Sequence, residues 1–335
     1  MRTQAPGEHF ESIYWVFTQL CNDACAHCYN DSSPAGARIS TAECLAIVGN
    51  LPARIDRLIL SGGEPLAERP KLCAILDAVR ARYGDATQVM LQTNGDLLTG
   101  EILDELLVRG VTRFDVASID RYHKHAGARR AVLEELFRSR GMVDDADRPL
   151  IEKADYLHRD AVSYGFWGAN EDFWIGGNWA RGNALRTGVW KRDGEHNFCA
   201  VLSGGRGFLG GTELPQEISI QLWKINPCCP GTKYPLGDAR VERVADVVAR
   251  VAASPVFARI NEGDPYAMGE SIGVGGDHGH ARAGALGNVC LWCDEFFTRH
   301  FDVATLAPRT APADADDAED AETVPARSSP LKVLP

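Results

Sequence analysis

Three cysteines, Cys21, Cys25 and Cys28, follow directly after a strand-like run over residues 12–20 and constrain the chain most. A strand that ends in a loop at Cys21 can wrap that loop around one inorganic centre. Three thiolates hold three irons of a cubane cluster and leave the fourth iron open. Packed thiols or half of a structural zinc site are the alternatives. Zinc-binding cysteines usually come in C-x₂-C pairs, so the C-x₃-C-x₂-C spacing favours an iron–sulfur cluster.

A second motif follows the strand-like run 57–60, where the chain reads Ser61-Gly62-Gly63-Glu64-Pro65. Two glycines allow a ligand to approach the backbone, and Glu64 offers a carboxylate. Taken alone, this segment is more typical of a turn with a solvated Glu. It gains meaning because it comes about three dozen residues after the cysteine triplet, at the C-terminal end of a strand.

Together the two motifs resemble those of radical S-adenosylmethionine (SAM) enzymes. The resemblance implies a [4Fe–4S] cluster on Cys21, Cys25 and Cys28, with SAM chelating the open iron. It also implies that Gly62, Gly63, Glu64 and Pro65 hold the methionyl amino group of SAM, and it assigns His27 to the cofactor site.

Strand-like runs alternate with helix-like runs after residue 12, which predicts an α/β fold with a parallel sheet. Ser40 and Glu43 have capping-box spacing at the first helix. The resemblance implies a partial (β/α)₆ TIM-like barrel. The predicted strands are 12–20, 57–60, 87–92, 113–119, 161–167 and 171–175, and the predicted helices are 40–50, 71–83, 99–109, 128–139 and 150–159.

Polar residues stand at the ends of two predicted strands, where ligand-facing groups gather in parallel sheets. The resemblance implies that Thr93, Asn94, Ser118 and Asp120 contact the ribose and methionyl parts of SAM, although such residues are also ordinary turn formers. It further implies an arginine for the SAM carboxylate, for which the forked guanidinium is suited, and we choose Arg129 over Arg130.

A second cysteine set lies downstream, consisting of Cys199, Cys228, Cys290 and Cys293. With a predicted strand over 217–225 and an amphipathic helix over 239–252, it resembles a twitch domain, a truncated SPASM domain that binds one auxiliary [4Fe–4S] cluster. Pro227 precedes Cys228 as in that family, so Cys228 is predicted as the ligand and Cys229 as the spare thiol. Trp223 replaces a usual glycine, and a four-cysteine zinc site is the alternative.

The predicted domains are a radical SAM partial barrel over 1–185, a twitch-like domain over 186–306 and a disordered acidic Ala/Pro-rich tail over 307–335. Residues 178–184 are expected to close the barrel, and the glycine-rich segment 263–287 is expected to be a flexible connection. Cys44 and Cys73, on predicted helices, are interpreted as packing residues.

The net charge of −11 argues against a nucleic-acid partner. No run approaches the length of a membrane span and no signal sequence precedes residue 12, so we expect a cytoplasmic protein without a membrane partner. Ten cysteines in that compartment indicate metal ligation.

The resemblance implies radical chemistry driven by an external donor such as flavodoxin or ferredoxin. With an auxiliary cluster as electron acceptor, two-electron oxidation is the leading interpretation. Epimerisation or decarboxylation, with Cys229 returning a hydrogen atom, is an alternative. No leader-binding domain fits before Cys21, which favours a sugar-like, cyclitol-like or other natural-product precursor over a peptide. The rival from another class is a non-enzymatic zinc- or cluster-binding module.

Overall fold

A largely parallel sheet forms the centre of the fold. The computed structural model describes residues 8–117, 123, 128–145, 161–166 and 179–309. Seven strands pair in parallel: β1 His9–Val16, β2 Arg54–Ser61, β3 Gln88–Thr93, β4 Val111–Val116, β5 Val143–Asp144, β6 Ser163–Phe166 and β7 Glu217–Gln221. The sheet continues antiparallel through β8 Lys224–Asn226 and β9 Gly237–Asp238.

The strand order is β5-β6-β4-β3-β2-β1-β7-β8-β9, and this nine-stranded sheet is not closed within the described residues. Helices connect the parallel strands, as crossover connections require. The predicted α/β class with a partial barrel is confirmed. The described helices are α1 Thr41–Asn50, α2 Arg69–Tyr83, α3 Gly100–Val108, α4 Arg130–Arg138, α5 Gly182–Thr187, α6 Val244–Ala252, α7 Pro255–Asn261, α8 Gly276–Leu286 and α9 Val289–Arg299. A separate small ladder pairs β10 Phe301–Asp302 with β11 Ala307–Pro308.

The two faces of the sheet differ in what covers them. Side chains such as Ile13, Trp15 and Leu58 point to the outer face and belong to the main hydrophobic core. The opposite, inner face has its own small apolar cluster, in which Tyr14, Val16, Ile59, Met90 and Cys229 pack together. Register partners in neighbouring strands share a face, and Tyr14 pairs with Ile59, which pairs with Met90.

The C-terminal part of the chain extends the same sheet. β7 pairs in parallel with β1, so that Ser12 lies beside Glu217 and Tyr14 beside Ser219. The hairpin from β7 to β8 forms despite Trp223, because Leu222 takes the left-handed conformation at the turn, with φ 55°. The ring of Trp223 lies 4.4 Å from the guanidinium carbon of Arg240. The C-terminal segment therefore covers the open edge beside β1.

Local signals gave several accurate boundaries. Ser40 caps α1, with its hydroxyl accepting from the Glu43 backbone N–H and its own backbone N–H donating to the Glu43 carboxylate at 2.8 Å. This confirms the capping box. Cys44 and Cys73 are buried, as predicted.

Four expectations about elements are wrong. Segment 263–287 is not a flexible connection, since it contains a short 3-10 helix at Glu270–Ile272 and all of α8, which is capped by Gly287 in the left-handed conformation that suits glycine. The helix predicted from 239 begins only at Val244, because the chain first makes a turn in which the Val241 and Glu242 backbone N–H groups donate to the Asp238 carbonyl. The first strand ends at Val16 rather than residue 20, and the short strand β5 was not among the predicted strands.

The predicted tail begins too early. Ala307–Pro308 pairs with β10, and the Arg309 backbone N–H donates to the His300 carbonyl at 2.9 Å. Several predictions fall outside the described residues. They concern the rest of the tail over 310–335, Ser118, Asp120, the helix predicted over 150–159 and the strand predicted over 171–175.

Candidate functional site

The loop that carries Cys21 is anchored on the turn after β2. The backbone N–H groups of Gly63 and Glu64 donate to the carbonyls of Thr18 and Leu20, both at 2.8 Å. A Cβ atom on Gly63 would collide with the Leu20 carbonyl and with Cys21. The two glycines thus let the cysteine-bearing backbone approach this turn, a role that the sequence had suggested only for a ligand.

Helix α5 anchors the other end of the same loop. The Asn183 side-chain amide donates to the Cys25 carbonyl at 2.7 Å, and the Ala184 backbone N–H donates to the Cys28 carbonyl at 3.0 Å. The Thr187 hydroxyl donates to the Ala26 carbonyl at 2.7 Å. All three hydrogen bonds go to backbone carbonyls. Helix α5 therefore holds the loop of the first cysteine set (Cys21, Cys25 and Cys28) without using its thiols.

Burial dominates the chemistry of these three thiols. It raises the pKa of Cys21 to about 12, with a further contribution from the charge of Glu64. Burial also raises the pKa values of Cys25 and Cys28, and the charge of Asp23 adds to the effect on Cys25. Binding of a metal centre would therefore release protons, since thiolates are the ligating form.

Glu64 is fully buried at the end of β2. Its carboxylate accepts from the backbone N–H groups of Leu66 at 2.9 Å and Asn94 at 2.8 Å, and from the Thr93 hydroxyl at 2.8 Å. Burial raises its pKa to about 7 despite these hydrogen bonds, and the charge of Asp96 raises it further. A buried carboxylate held only by neutral donors provides a favourable partner for a ligand ammonium group.

Thr93 and Asn94 connect Glu64 to the cysteine loop. Besides donating to Glu64, the Thr93 hydroxyl accepts from the Gly95 backbone N–H at 3.0 Å. The Asn94 side chain donates to Asn22 at 2.8 Å, beside Cys21. Both predicted residues therefore lie at one site with Glu64, where they orient it.

Arg129 and His27 are also close to this site. The Arg129 guanidinium donates to the carbonyls of Gly95 and Leu98, at 2.7 and 3.2 Å, and to that of Asp96. In this arrangement it holds the loop after β3, and its predicted contact with the SAM carboxylate stays a prediction. His27 is buried, with its ring edge-on to His123 at a centroid distance of 5.0 Å.

The second cysteine set (Cys199, Cys228, Cys290 and Cys293) comes together from three separate segments. Burial, followed by the charges of Cys228 and Cys290, raises the pKa of Cys199. Burial likewise raises the pKa of Cys293, and the charges of Cys199 and Cys228 contribute to that rise. All four thiols therefore lie within electrostatic reach of one another.

Arg181 lies at the centre of this second set. Its guanidinium pairs with Asp294 and donates to the carbonyls of Cys290 at 3.0 Å and Gly231 at 3.2 Å. Burial alone lowers the pKa of Arg181, but Asp294 and the nearby thiols raise it overall. Arg181 in turn lowers the pKa of all four thiols, which favours their thiolate forms.

The described part of the chain contains no group of three or more His, Cys, Asp or Glu side chains that could hold a metal ion as those side chains stand. A single zinc ion needs all its sulfur ligands at about 2.3 Å from one atom. A cubane instead binds each cysteine to a different iron, so its thiolates lie further apart. Soft thiolate donors alone suit either centre.

Cys229 faces away from the second set and towards the inner face of the sheet. Its sulfur lies 3.1 Å from the Tyr29 hydroxyl, which lies 3.0 Å from the Tyr14 hydroxyl. Tyr14 donates to Ser61 at 2.9 Å, completing a buried chain of hydrogen-bonding groups. Tyr29 follows Cys28 in sequence, and Cys229 follows Cys228. This row of hydrogen-bonding side chains therefore runs from a neighbour of the first cysteine set to a neighbour of the second.

The sequence analysis did not identify several residues of these sites. Asn22, Tyr29 and Thr187 were not singled out, and Arg181 and Asn183 were included only in the segment 178–184 that was expected to close the barrel. The signal for Tyr29 and Asn22 was their adjacency to motif cysteines. Asn183 and Thr187 act through backbone carbonyls, for which the sequence contains no signal.

Comparison with protein families supports the first site. Residues 15–139 match the model of the Radical SAM superfamily. An AdoMet-dependent heme synthase from Methanosarcina barkeri (strain Fusaro / DSM 804) is 45% identical over 115 residues, which cover 32% of this chain and 30% of that protein. The match thus spans less than a third of the relative.

Solved structures give wider but weaker matches. BtrN in complex with AdoMet and 2-DOIA is 17% identical, with 76% of this chain and 88% of that chain covered and a TM-score of 0.45. Native anSMEcpe with bound AdoMet and Cp18Cys peptide is 13% identical, with coverages of 70% and 79% and a TM-score of 0.40.

The α/β fold and the matched region define a radical SAM domain over residues 15–139. A domain of this family implies a [4Fe–4S] cluster and SAM as cofactors, in agreement with the thiols of the first cysteine set and the carboxylate of Glu64.

Among the helices that the structure describes, none combines the length and apolar character that a bilayer span requires.

Proposed function

We propose that this protein is a radical SAM enzyme that oxidises a small, sugar-like or cyclitol-like substrate by two electrons. Cys21, Cys25 and Cys28 would hold a [4Fe–4S] cluster, which, when reduced, would supply the electron for reductive cleavage of SAM and so the radical chemistry that removes hydrogen from carbon. Glu64 binds the SAM ammonium group, while Thr93 and Asn94 orient Glu64. His27, Gly62, Gly63, Pro65, Ser118, Asp120 and Arg129 complete the proposed cofactor contacts.

One observation carries the oxidative outcome: the two cysteine sets are held on either side of one short segment. Arg181 contacts the second set, and Asn183 and Thr187 contact the loop of the first. An auxiliary [4Fe–4S] cluster on Cys199, Cys228, Cys290 and Cys293 is then well located to accept the electron that a substrate radical gives up. The external reductant is a flavodoxin- or ferredoxin-like donor, and the proposed compartment is the cytoplasm.

A redox-neutral outcome is the second candidate, and the position of Cys229 favours it. Its thiol lies on the inner face within the cluster of Tyr14, Ile59 and Met90. Donation of a hydrogen atom from Cys229 to a substrate radical would form the new C–H bond and leave a thiyl radical. One electron and one proton from the reductant would restore the thiol. Epimerisation requires this step, whereas two-electron oxidation does not.

The test is SAM cleavage by full-length protein after anaerobic cluster reconstitution, with dithionite as reductant. Wild type is expected to form 5′-deoxyadenosine, and Cys73→Ala, which removes a buried thiol on α2, is expected to match it. Formation of 5′-deoxyadenosine by the Cys21/Cys25/Cys28→Ala variant would refute the proposal. One SAM consumed per oxidised product supports oxidation. If the product instead takes up deuterium from D₂O without net oxidation, and this uptake depends on Cys229, the second candidate is supported.

A further inference from the structure

Arg181 brings a positive charge into the second cysteine set. Only 12% of its side chain is exposed, and arginine side chains rarely leave solvent to this degree unless they are paired. The guanidinium pairs with Asp294, which directly follows Cys293 in sequence. Because a guanidinium does not lose its proton in proteins, Arg181 is a permanent source of positive potential at this set.

Two further hydrogen bonds fix the guanidinium between segments that carry cysteines. Its Nη2 donates to the carbonyl of Cys290 at 3.0 Å. Its Nε donates to the Gly231 carbonyl at 3.2 Å, in a turn where the Gly231 backbone N–H donates to the Cys228 carbonyl at 3.1 Å. Arg181 therefore joins the turn after Cys228 to the start of α9, and these two segments supply three of the four thiols.

The charge of Arg181 reaches every thiol of the second set. Burial raises the pKa of each thiol, and Arg181 opposes that rise at all four. The carboxylate of Asp294 acts in the opposite direction, but Arg181 has the larger effect on Cys228 and Cys290. Only at its neighbour Cys293 does Asp294 have the larger effect. The ion pair therefore leaves a net positive influence on most of the set.

A fixed cation at this position favours reduction. Reduction adds one negative charge to whatever cluster the four thiolates hold, so a nearby positive charge stabilises the reduced form. Lys233 also acts on Asp294, but its side chain is exposed and solvent screens its charge. Arg181 lies where water is largely excluded, so its charge acts on the second set with much less screening.

We propose that Arg181 raises the reduction potential of the auxiliary [4Fe–4S] cluster on the second cysteine set, so that this set can accept an electron from a substrate radical. The inference rests on the proposed function, because it concerns the oxidative outcome. In that outcome the substrate radical loses one electron to the second set and the proton of its hydroxyl group to solvent, which forms the carbonyl of the product. The oxidised form of the external donor then removes the electron.

A purely structural role is the competing explanation. In that case Arg181 only joins α9 to the turn after Cys228, and the potential does not depend on the sign of the charge that a substitution removes.

Redox titration of the full-length, cluster-reconstituted chain tests the proposal. The first cysteine set is replaced by Ala, so that only the second set holds a cluster, whose visible absorption is followed against potential at about pH 8, where Asp294 is ionised. Arg181→Gln, which keeps an N–H donor but no charge, should lower the equilibrium constant for reduction at least about tenfold, or about 59 mV for one electron. Arg181→Lys should retain more than half of that difference. Arg186→Gln, which neutralises an arginine that is 60% exposed, should not change the potential.

Asp294→Asn provides a second measurement that does not require a variant of Arg181 to fold. Because Arg181 then acts without its counter-charge, the same equilibrium constant should rise at least about threefold. An unchanged potential in either Arg181→Gln or Asp294→Asn, or shifts of the same sign in both, would overturn the proposal. Absence of iron from the second set would overturn both this inference and the oxidative outcome, whereas an unchanged potential with iron retained would overturn this inference alone. SAM cleavage at the first set is tested separately.

Discussion

The two cysteine sets are assembled in opposite ways. Cys21, Cys25 and Cys28 belong to one loop, so neighbouring residues largely determine their spacing. The second set comes from three segments that a hairpin and several helices separate: Cys199, Cys228, and the pair Cys290 and Cys293 on α9. Local chain geometry can build the first site, whereas the second requires the finished tertiary structure.

Their electrostatic surroundings also differ. Negative groups lie beside the first set, where Glu64 and Asp23 raise the pKa values of Cys21 and Cys25. The second set lies against Arg181, which lowers the pKa of each of its thiols. At the first site, the ammonium group of SAM would bring a positive charge to the Glu64 carboxylate. The second site contains a cation of its own, Arg181.

The largest expected effect comes from removing the first set. In the Cys21/Cys25/Cys28→Ala variant, iron content should fall from about eight to about four atoms per chain, because two cubanes become one. SAM cleavage should fall to background. Iron and sulfide analysis alongside 5′-deoxyadenosine measurement checks this, and a variant that retained about eight irons would remove the first set from cluster binding.

Arg181→Met is expected to destabilise the protein by about 1.5–3 kcal/mol, because half-buried Asp294 loses a charged hydrogen-bond donor and keeps only the Lys233 backbone N–H. Arg186→Met provides the matched control on the same helix. Arg186 is 60% exposed and pairs with exposed Asp31, so its loss should cost at most about 1 kcal/mol. Urea unfolding compares the two. Similar losses in both variants would show that Arg181 is not special to the second set.

Cys228→Ala and Cys229→Ala separate two adjacent thiols. The first should lower iron by up to about four atoms, since it removes a proposed ligand of the auxiliary cluster, while the second should leave iron unchanged. Iron analysis and the visible absorption of the cluster measure the difference. If Cys229→Ala lost iron and Cys228→Ala retained it, the ligand assignment would be reversed. In the wild type, stoichiometric zinc with only about four irons would identify the second set as a zinc site.

Glu64→Gln should weaken SAM binding by about 1.5–3 kcal/mol, roughly 10- to 100-fold, because a charge-assisted hydrogen bond becomes a neutral one. Iron content should not change. Glu43→Gln, at the exposed N-terminus of α1, is the control. Equilibrium dialysis with labelled SAM measures the effect, and wild-type affinity in Glu64→Gln would exclude this residue from the cofactor site.

The pH dependence of the same site gives the smallest expected effect. The pKa of Glu64 is about 7 in the folded protein, above its ordinary value of 4.5. Between these values the folded chain holds a proton that the unfolded chain has released, so this group lowers the free energy of unfolding as pH rises from about 4.5 to 7. An ammonium ligand prefers the ionised carboxylate, and SAM affinity should rise through about pH 7. Glu64→Gln should lack both slopes.

Much of the N-terminal half could be predicted because its signals are short-range. The Ser40 and Glu43 capping box, the alternation of strands and helices and the Gly62-Gly63-Glu64-Pro65 turn each depend on residues a few positions apart. Predictions failed where one segment had to choose between partners. The amphipathic pattern predicted a helix from residue 239, but it begins at Val244, because the chain first pairs Gly237–Asp238 with β8 and then makes a turn on Asp238.

The sequence by itself determined the chemistry that this protein can support: the thiol donor sets, the acidic residue of the second motif and the α/β class. Only the tertiary structure decided that β7 lies beside β1, that Glu217 and Cys229 face the same side as Tyr14, and that Arg181 contacts the second cysteine set while α5, which follows it, holds the loop of the first. These arrangements depend on strand register and on contacts between residues more than a hundred positions apart. A one-residue shift of β7 would turn Glu217 to the opposite face, and local sequence contains no information that forbids it.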